Sequence, residues 1–246
     1  FAQRGWFVTV TDVNASGLEG TLGLIEGDAK FAHQLDVRDR AAWDEALSSA
    51  NEAAGGRIDV MFNNAGIGTG GAIADLAKDE IDACLDINLR GVLYGAQAAY
   101  PYLQKTAPGS ALVNTASAAG ITGGSGMSVY SATKFAVRGI AESLDAEWAP
   151  DGIKVCSICP SFIETPLLDG TGRRGDNEQI RTRVLQAGLE ITPVEEVAKT
   201  VWDAVHGDDV HYLVGKTAKR INFAKRWIPG RVRKQQRDAA GLLGGN

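Results

Sequence analysis

Cysteine is scarce in this sequence, three residues in 246, which is no disulfide framework for a chain of this size. Cys156 and Cys159 form a Cys-x-x-Cys, but they fall in the apolar run Ile153–Ile158 and its end. That run reads as a strand, where residues three apart point to opposite faces. Small core residues are therefore expected rather than a redox pair, in keeping with a reducing cytoplasmic setting. No stretch of apolar residues is long enough to cross a bilayer as a helix. Histidine is equally sparse: His33, His206 and His211 have no metal-ligand spacing, so no metal site is expected. An opening methionine and a signal peptide are also missing. Residues Ala2 to Gly5 read as the last turn of a helix closing on a glycine, so upstream sequence is expected to be missing. Acidic residues are nearly absent from one region only. From Lys216 onward nine Lys/Arg face a single acid, Asp238, whereas residues 1–215 hold 16 Lys/Arg against 29 Asp/Glu. An acidic body with a short basic tail is not a nucleic-acid-binding footprint as a whole.

Glycine is in excess, 30 of 246 residues, or about 12% against a usual ~7%. The glycines have no Gly-X-Y period and gather in loops behind apolar runs, as in an α/β protein that brings backbone close to a ligand. Strands are predicted at Trp6–Thr11, Phe31–Leu35, Ile58–Phe62, Ala111–Asn114, Ile153–Ile158 and Tyr212–Val214. Helices are predicted at Arg38–Ala54, Lys78–Lys105, Ser128–Trp148 and from Thr192-Pro193-Val194-Glu195, whose Thr192 and Glu195 have capping-box spacing. Strands and helices alternate with no linker before Lys216. The expected fold is a Rossmann-like doubly wound parallel sheet flanked by helices, with residues 1–215 as the dinucleotide-binding and catalytic domain and 216–246 as a basic helical extension. Ligands in such folds sit beyond the carboxyl ends of the strands, so the residues just after strands deserve the closest reading.

Tyr130 and Lys134, four apart on a predicted helix, share a face. A cation close to a tyrosine favours phenolate, so the spacing predicts a lowered tyrosine pKa and a proton donor or acceptor for a carbonyl/alcohol pair. Alone, Tyr-x-x-x-Lys occurs by chance in many amphipathic helices. Ser117, just after the strand Ala111–Asn114, can hydrogen-bond the same substrate oxygen. Asn88 lies within a predicted helix, where an asparagine is mildly unfavourable and is otherwise read as a surface residue or a local kink.

With Asn63-Asn64-Ala65-Gly66, Asn88, Ser117, Tyr130, Lys134 and Cys159-Pro160-Ser161-Phe162-Ile163-Glu164-Thr165 in this order and spacing, the chain resembles the single-domain short-chain dehydrogenases/reductases from Phe1 to about Val214. The resemblance implies hydride transfer between a nicotinamide cofactor and a carbonyl/alcohol pair. In it, Tyr130 is general acid/base and Ser117 orients the carbonyl. Lys134 lowers the tyrosine pKa and binds the nicotinamide ribose, and Asn88 holds a water in the proton relay. Asp36 and Val37 would contact the adenine. Asn64, Ala65 and Gly66 would line the adenosine side, and Pro160, Ile163 and Thr165 would lie near the nicotinamide. It also implies a homodimer or homotetramer. Two departures stand out: Ser161 replaces the family's usual glycine after Pro160, and the first strand with its glycine-rich turn is absent.

Asp12 ends the first visible strand, where an acid accepts from ribose hydroxyls and repels a 2′-phosphate; no Lys or Arg closely follows it, so NAD is expected in preference to NADP. Gly66-Ile67-Gly68-Thr69-Gly70-Gly71 matches G-x-G-x-x-G but no strand ending in an acid follows at the required distance, so it is read as a neighbour of the cofactor rather than its pyrophosphate cradle. Ala118, Ala119, Gly120, Ile121, Met127, Phe162, Leu167 and Leu168 suggest an apolar substrate side, and Asp169 to Gln186 either a lid or a solvated loop-helix. The tail carries Ile221, Ala224, Trp227 and Ile228 among lysines and arginines, broken by Pro229-Gly230. It is read first as a helix packed on its own domain or a partner subunit, with contact to an anionic membrane surface as the alternative. The functional reading is an NAD-dependent oxidoreductase acting on a hydrophobic secondary alcohol or ketone. The alternative is a catalytically inactive dinucleotide-binding scaffold or sensor. A nucleotide-sugar epimerase or dehydratase shares Tyr-x-x-x-Lys but carries a larger C-terminal substrate domain.

Overall fold

The computed structural model describes residues 1–171 and 178–243. Residues 172–177 of the expected lid and 244–246 of the expected tail lie outside the described residues. After a single 3-10 turn, Ala2–Arg4, closed by Gly5 as the sequence pattern predicts, β1 (Val8–Asp12), α1 (Ala15–Leu24), β2 (Lys30–Gln34), α2 (Arg40–Ala53) and β3 (Val60–Asn63) follow in order. Then come α3 (Lys78–Leu85), a π-helical turn (Asp86–Arg90), α4 (Gly91–Thr106), β4 (Ala111–Thr115) and α5 (Ser128–Trp148). The remainder is β5 (Lys154–Pro160), β6 (Phe162–Ile163), α6 (Ile180–Gln186), β7 (Ile191–Thr192), α7 (Val194–His206), β8 (His211–Val214), α8 (Gly215–Trp227) and α9 (Pro229–Leu243).

All paired strands are parallel. Four of them form a sheet in the order β3-β4-β5-β8, beside the separate pairs β1-β2 and β6-β7. A parallel strand covered on both faces shows no alternation of buried and exposed residues, which is why Ala111–Val113 and Val155–Cys159, the latter polar only at Ser157, are buried throughout. One face of the sheet packs Val113, Cys156 and Ile158 against Val201 and Ala204 of α7. The other carries Leu112 and Val155 against α4 and α5, and Cys159 against Val92 and Val137. The fold is therefore the expected Rossmann-like doubly wound α/β architecture. Cys156 and Cys159 are buried, unpaired and in different core clusters on opposite faces, and burial pushes the Cys156 thiol up to about 11. Such a thiol is a small core residue with little thiolate character.

Two expectations need correction. The long helix at 78–105 is interrupted by the π turn at Asp86–Arg90. The Thr192–Glu195 capping box does not form: Thr192 is the last residue of β7, its buried hydroxyl has no partner among the described residues, and Pro193 precedes the helix. Pairing with β6 (Ile163 opposite Thr192) takes Thr192 away from the cap position.

Helix α2 shows how local chemistry sets an element. Asp39 accepts from the Ala41 and Ala42 amides at its start, and Trp43, Ala46, Leu47 and Ala50 form its buried stripe. Each large side chain buried in this way contributes about 1.5–3 kcal/mol. Helix α1, by contrast, has three glycines in ten residues. It is held by its cap, Asn14, whose side chain accepts from the Gly17 amide at 3.3 Å.

Candidate active site

The carboxyl ends of β3, β4 and β5 and the first turns of α5 bring together most of the residues singled out from the sequence. Helix α5 begins at Ser128, so Tyr130 and Lys134 lie one above the other near its start. The Lys134 ammonium is 5.7 Å from the Tyr130 ring centre. It is 3% exposed and donates to the Thr115 carbonyl at the end of β4, 2.9 Å away. Gly120, in the short 3-10 turn Ala118–Gly120, lets this loop press against the helix: a Cβ there would sit 2.5 Å from the Lys134 carbonyl oxygen. Thr133 donates to the Tyr130 carbonyl at 2.7 Å.

Ser117 follows β4 and is buried. Its hydroxyl accepts from the Ala119 amide at 3.1 Å and reaches the Pro160 carbonyl at the end of β5 at 3.4 Å. Pro160 is thereby tied to the same corner. Ser161, the departure from the family pattern, turns its hydroxyl onto the Phe162 amide at 2.6 Å. Ile163 is half-buried in the α7-side cluster, and Thr165 donates to its carbonyl at 3.3 Å.

Asn88 is fully buried, not a surface residue. The π turn places its amide against the loop after β3: Oδ1 accepts from the Ile67 amide and Nδ2 donates to the Ile67 carbonyl, both at 2.8 Å. Gly66 lies in the angle between Asn88 and Lys134, where an added Cβ would be 3.3 Å from Asn88 Oδ1 and 3.5 Å from Lys134 Nζ. On the adjoining side, Thr115 donates its hydroxyl to Asn64 Oδ1 at 2.9 Å, with Ala65 between Asn64 and Gly66. Two amides of the loop at 66–71 are engaged within the chain, and the loop does not lead directly into a helix. Its Ile67 amide is spent on Asn88 and its Gly71 amide on the Gly126 carbonyl (2.8 Å), and the next helix opens only at Lys78.

The electrostatics correct one expectation. Tyr130 is not drawn toward phenolate; burial pushes its phenol up, and the neighbouring Ser117 hydroxyl, a hydrogen-bond donor to phenolate, opposes this more weakly. Burial also holds the Lys134 ammonium down to about 8, from 10.5. Desolvation outweighs the attraction because the cation is itself poorly solvated. The pair is thus a neutral phenol beside a lysine that remains mostly protonated at neutral pH.

The residues expected on the adenosine side lie at the ends of β1 and β2. Asp12 ends β1 and its Oδ1 accepts from the Asn14 amide at 2.8 Å, a turn-capping contact. Asp36 is gripped by Arg38 through both carboxylate oxygens, which keeps its carboxyl below the usual range. Val37 packs against Gly91 at the start of α4, and its carbonyl accepts from the Trp43 indole at 3.0 Å. On the apolar side, Met127 and Leu167 are exposed and available to a ligand, whereas Ile121 and Leu168 are buried core, so the expected lining shrinks accordingly. Arg181 of α6 pairs with Glu164 and Asp169, which fastens the described part of the 169–186 segment to the end of β6.

Three contributors were not singled out from sequence: Thr115, Thr133 and the Ile67 peptide. Thr133 stands inside the Tyr130–Lys134 interval, and Thr115 ends the strand two residues before Ser117; both positions were a usable signal. The sequence also gives no signal of a Ser157–His211–Glu142 chain, in which His211 Nδ1 lies 2.9 Å from Ser157 Oγ and Nε2 2.7 Å from Glu142 Oε1. No cluster of metal-ligating side chains occurs among the described residues, and no described helix is long and apolar enough to cross a membrane.

Residues 1–174 match the short chain dehydrogenase family, and the chain belongs to that family. A 3-alpha-(or 20-beta)-hydroxysteroid dehydrogenase of Mycobacterium bovis is 41% identical over 141 residues, covering 57% of this chain and 53% of that protein. The chain thus spans about half the length of this relative. An uncharacterized oxidoreductase of Bacillus subtilis, YxbG, is 31% identical over 94% of this chain and 87% of its own. Among solved structures, the 3-ketoacyl-(acyl-carrier-protein) reductase of Brucella melitensis complexed with NADH superposes with a TM-score of 0.75 at 26% identity, covering 87% of this chain and 88% of that one.

Proposed function

We propose that this chain is an NAD-dependent oxidoreductase that moves a hydride between the cofactor and a hydrophobic secondary alcohol or ketone. The single observation that carries this reading is the buried corner in which Tyr130, Lys134, Ser117 and Asn88 meet at the carboxyl ends of the strands. The names of the relatives, a hydroxysteroid dehydrogenase and a ketoacyl reductase, support the reaction class.

The donor set fits a nicotinamide dinucleotide. One Lys134 hydrogen goes to Thr115, which leaves others for ribose hydroxyls, and the missing side chain at Gly66 keeps room beside the ammonium. The second carboxylate oxygen of Asp12 is unbound among the described residues, so it can accept from the adenosine ribose. Arg38 is already neutralised by Asp36 and offers a 2′-phosphate little, which supports NAD over NADP. Asn64, Ala65, Gly66, Val37 and Asp36 would form the adenosine wall, and Pro160, Ile163 and Thr165 the nicotinamide wall. The bound cofactor supplies or accepts the hydride.

The chain's own residues handle the proton. A neutral Tyr130 phenol donates to the carbonyl oxygen during reduction and takes the proton back during oxidation. Ser117 donates to the same oxygen and holds it in place. Lys134 stabilises the phenolate left behind. Asn88 commits both ends of its amide to the Ile67 peptide, so it acts by fixing the loop beside Lys134. Residues 1–215 would carry this chemistry and 216–246 form an extension. Assembly into a homodimer or homotetramer and a cytoplasmic location accompany the reading.

Purified full-length protein mixed with NAD and a panel of hydrophobic secondary alcohols should generate NADH. Cofactor binding with no turnover across the panel would favour the inactive scaffold, and no cofactor binding would reject both readings.

A further inference from the structure

Helix α8 has an inner and an outer face of different character. Thr217 and Ala218 are buried, and Ile221 packs on the cluster of Val92, Ala116, Ile121, Val137 and Cys159. Gln236 of α9 donates to the Thr122 hydroxyl at 2.9 Å and to the Gly123 carbonyl, so the second helix is fastened to the body as well. The reading of the tail as packed on its own domain therefore accounts for one face only. On the other face Phe223 and Trp227, one turn apart, are 62% and 64% exposed, and Ile228 beyond them is 40% exposed. Around them stand Lys219, Arg220 and Arg226, all exposed, with the Arg226 guanidinium 5.6 Å from the Trp227 ring centre. No Asp or Glu occurs from Val210 to Arg237. At the elbow between the helices, Lys225 and Arg233 line a hollow of about 350 Å3 with Pro229, Gly230, Val232 and Gln236. Neither cation is in an ion pair among the described residues.

We propose that the outer face of α8 and the α8–α9 elbow form a docking surface for an anionic phospholipid bilayer. Aromatic side chains interleaved with Lys and Arg are the pattern of a helix lying in a membrane interface: the rings enter the headgroup boundary and the cations meet lipid phosphates. The hollow gives one headgroup phosphate a place between Lys225 and Arg233. A second copy docked through the same face fits less well, because it would set Lys219, Arg220 and Arg226 against their own counterparts with no Asp or Glu from Val210 to Arg237 to meet them. Here the cations lie directly beside the apolar residues.

Co-sedimentation of the full chain with vesicles tests this. The protein should bind vesicles of equal parts phosphatidylcholine and phosphatidylglycerol, and release from them in high salt. Vesicles of phosphatidylcholine alone should leave it in solution. Replacing Lys219, Arg220 and Arg226 together by Gln should weaken binding about a hundredfold, taking about fivefold per cation near an anionic surface. Phe223→Ser with Trp227→Ser should weaken it about tenfold. Both variants keep the inner face and should melt with the parent protein. Equal binding to both vesicle types, no binding to either, or unchanged binding by the variants would overturn the proposal. So would a change of oligomeric state in the variants, by light scattering, without loss of vesicle binding, since that outcome assigns the face to a second copy.

Discussion

Helix α5 carries two hydrogen-bonded groups, one near its start and one further along, and they differ in access. Near the start, Tyr130 and Lys134 meet Ser117 at the ends of β4 and β5, and Tyr130 keeps part of its surface exposed. Further along, Glu142 holds His211, which holds Ser157. Serine, histidine and glutamate are the set of an activated nucleophile. Yet Ser157 sits in the middle of β5, paired on both sides by β4 and β8, and is fully sealed. No substrate atom can reach it, so this chain joins α5 to the two strands. Function here follows from where a strand ends, because only there do loops open onto solvent beside fixed side chains.

Substitutions at the two groups should therefore separate cleanly. The largest effect is expected at Tyr130. Tyr130→Phe should lower kcat about a thousandfold with an unchanged melting temperature, as removal of a general acid does. Next comes Asn88→Ala, which leaves the Ile67 N–H and C=O without their partner. Loss of two part-buried hydrogen bonds and a small cavity at the buried Asn88 site should cost about 2–4 kcal/mol in a denaturant titration.

Lys134 gives a pH signature that the second group lacks. Its folded pKa, about 8, lies below the 10.5 of an ordinary lysine. Between those values the unfolded chain holds a proton that the folded protein has released, so stability rises with pH across that window. The wild type should gain up to about 3 kcal/mol there relative to Lys134→Met, read from urea midpoints at successive pH values.

The smallest effect is expected at Glu142. Its carboxyl is held below the ordinary value by the His211 hydrogen bond, so the contribution is present at neutral pH and lost as pH falls below 4.5. The carboxylate is largely exposed, and Glu142→Gln should change stability by less than about 1 kcal/mol.

The sequence made most of this legible where one residue type had one physical task. Strands buried on both faces announced themselves as apolar runs, and α5 was predicted with its observed bounds. The opposite faces of Cys156 and Cys159 followed from strand geometry alone. Helix α1 was not anticipated, because Gly17, Gly20 and Gly23 give no apolar stripe and only the Asn14 cap marks its start. The π turn was equally silent: nothing in Asp86–Arg90 distinguishes it from α-helix until Asn88 is seen reaching the Ile67 peptide. Thr192 misled because a capping box and a strand end share the same local sequence, and tertiary pairing with β6 decided between them. The Tyr130 shift runs opposite in sign to what the spacing predicts, for a related reason. Spacing shows that a cation is near, but how deeply both groups are desolvated depends on the surrounding fold, which packs segments distant in sequence, such as Thr115 at the end of β4, against them.

Tyr130 is the proposed group that moves the proton, and a side-by-side stopped-flow measurement of NADH consumption with a hydrophobic ketone tests this directly. Tyr130→Phe should bind NADH like the parent yet transfer hydride about a thousandfold more slowly, while Ser157→Ala stays within about twofold. Hydride transfer at the parent rate in Tyr130→Phe would contradict the account, whatever Ser157→Ala does.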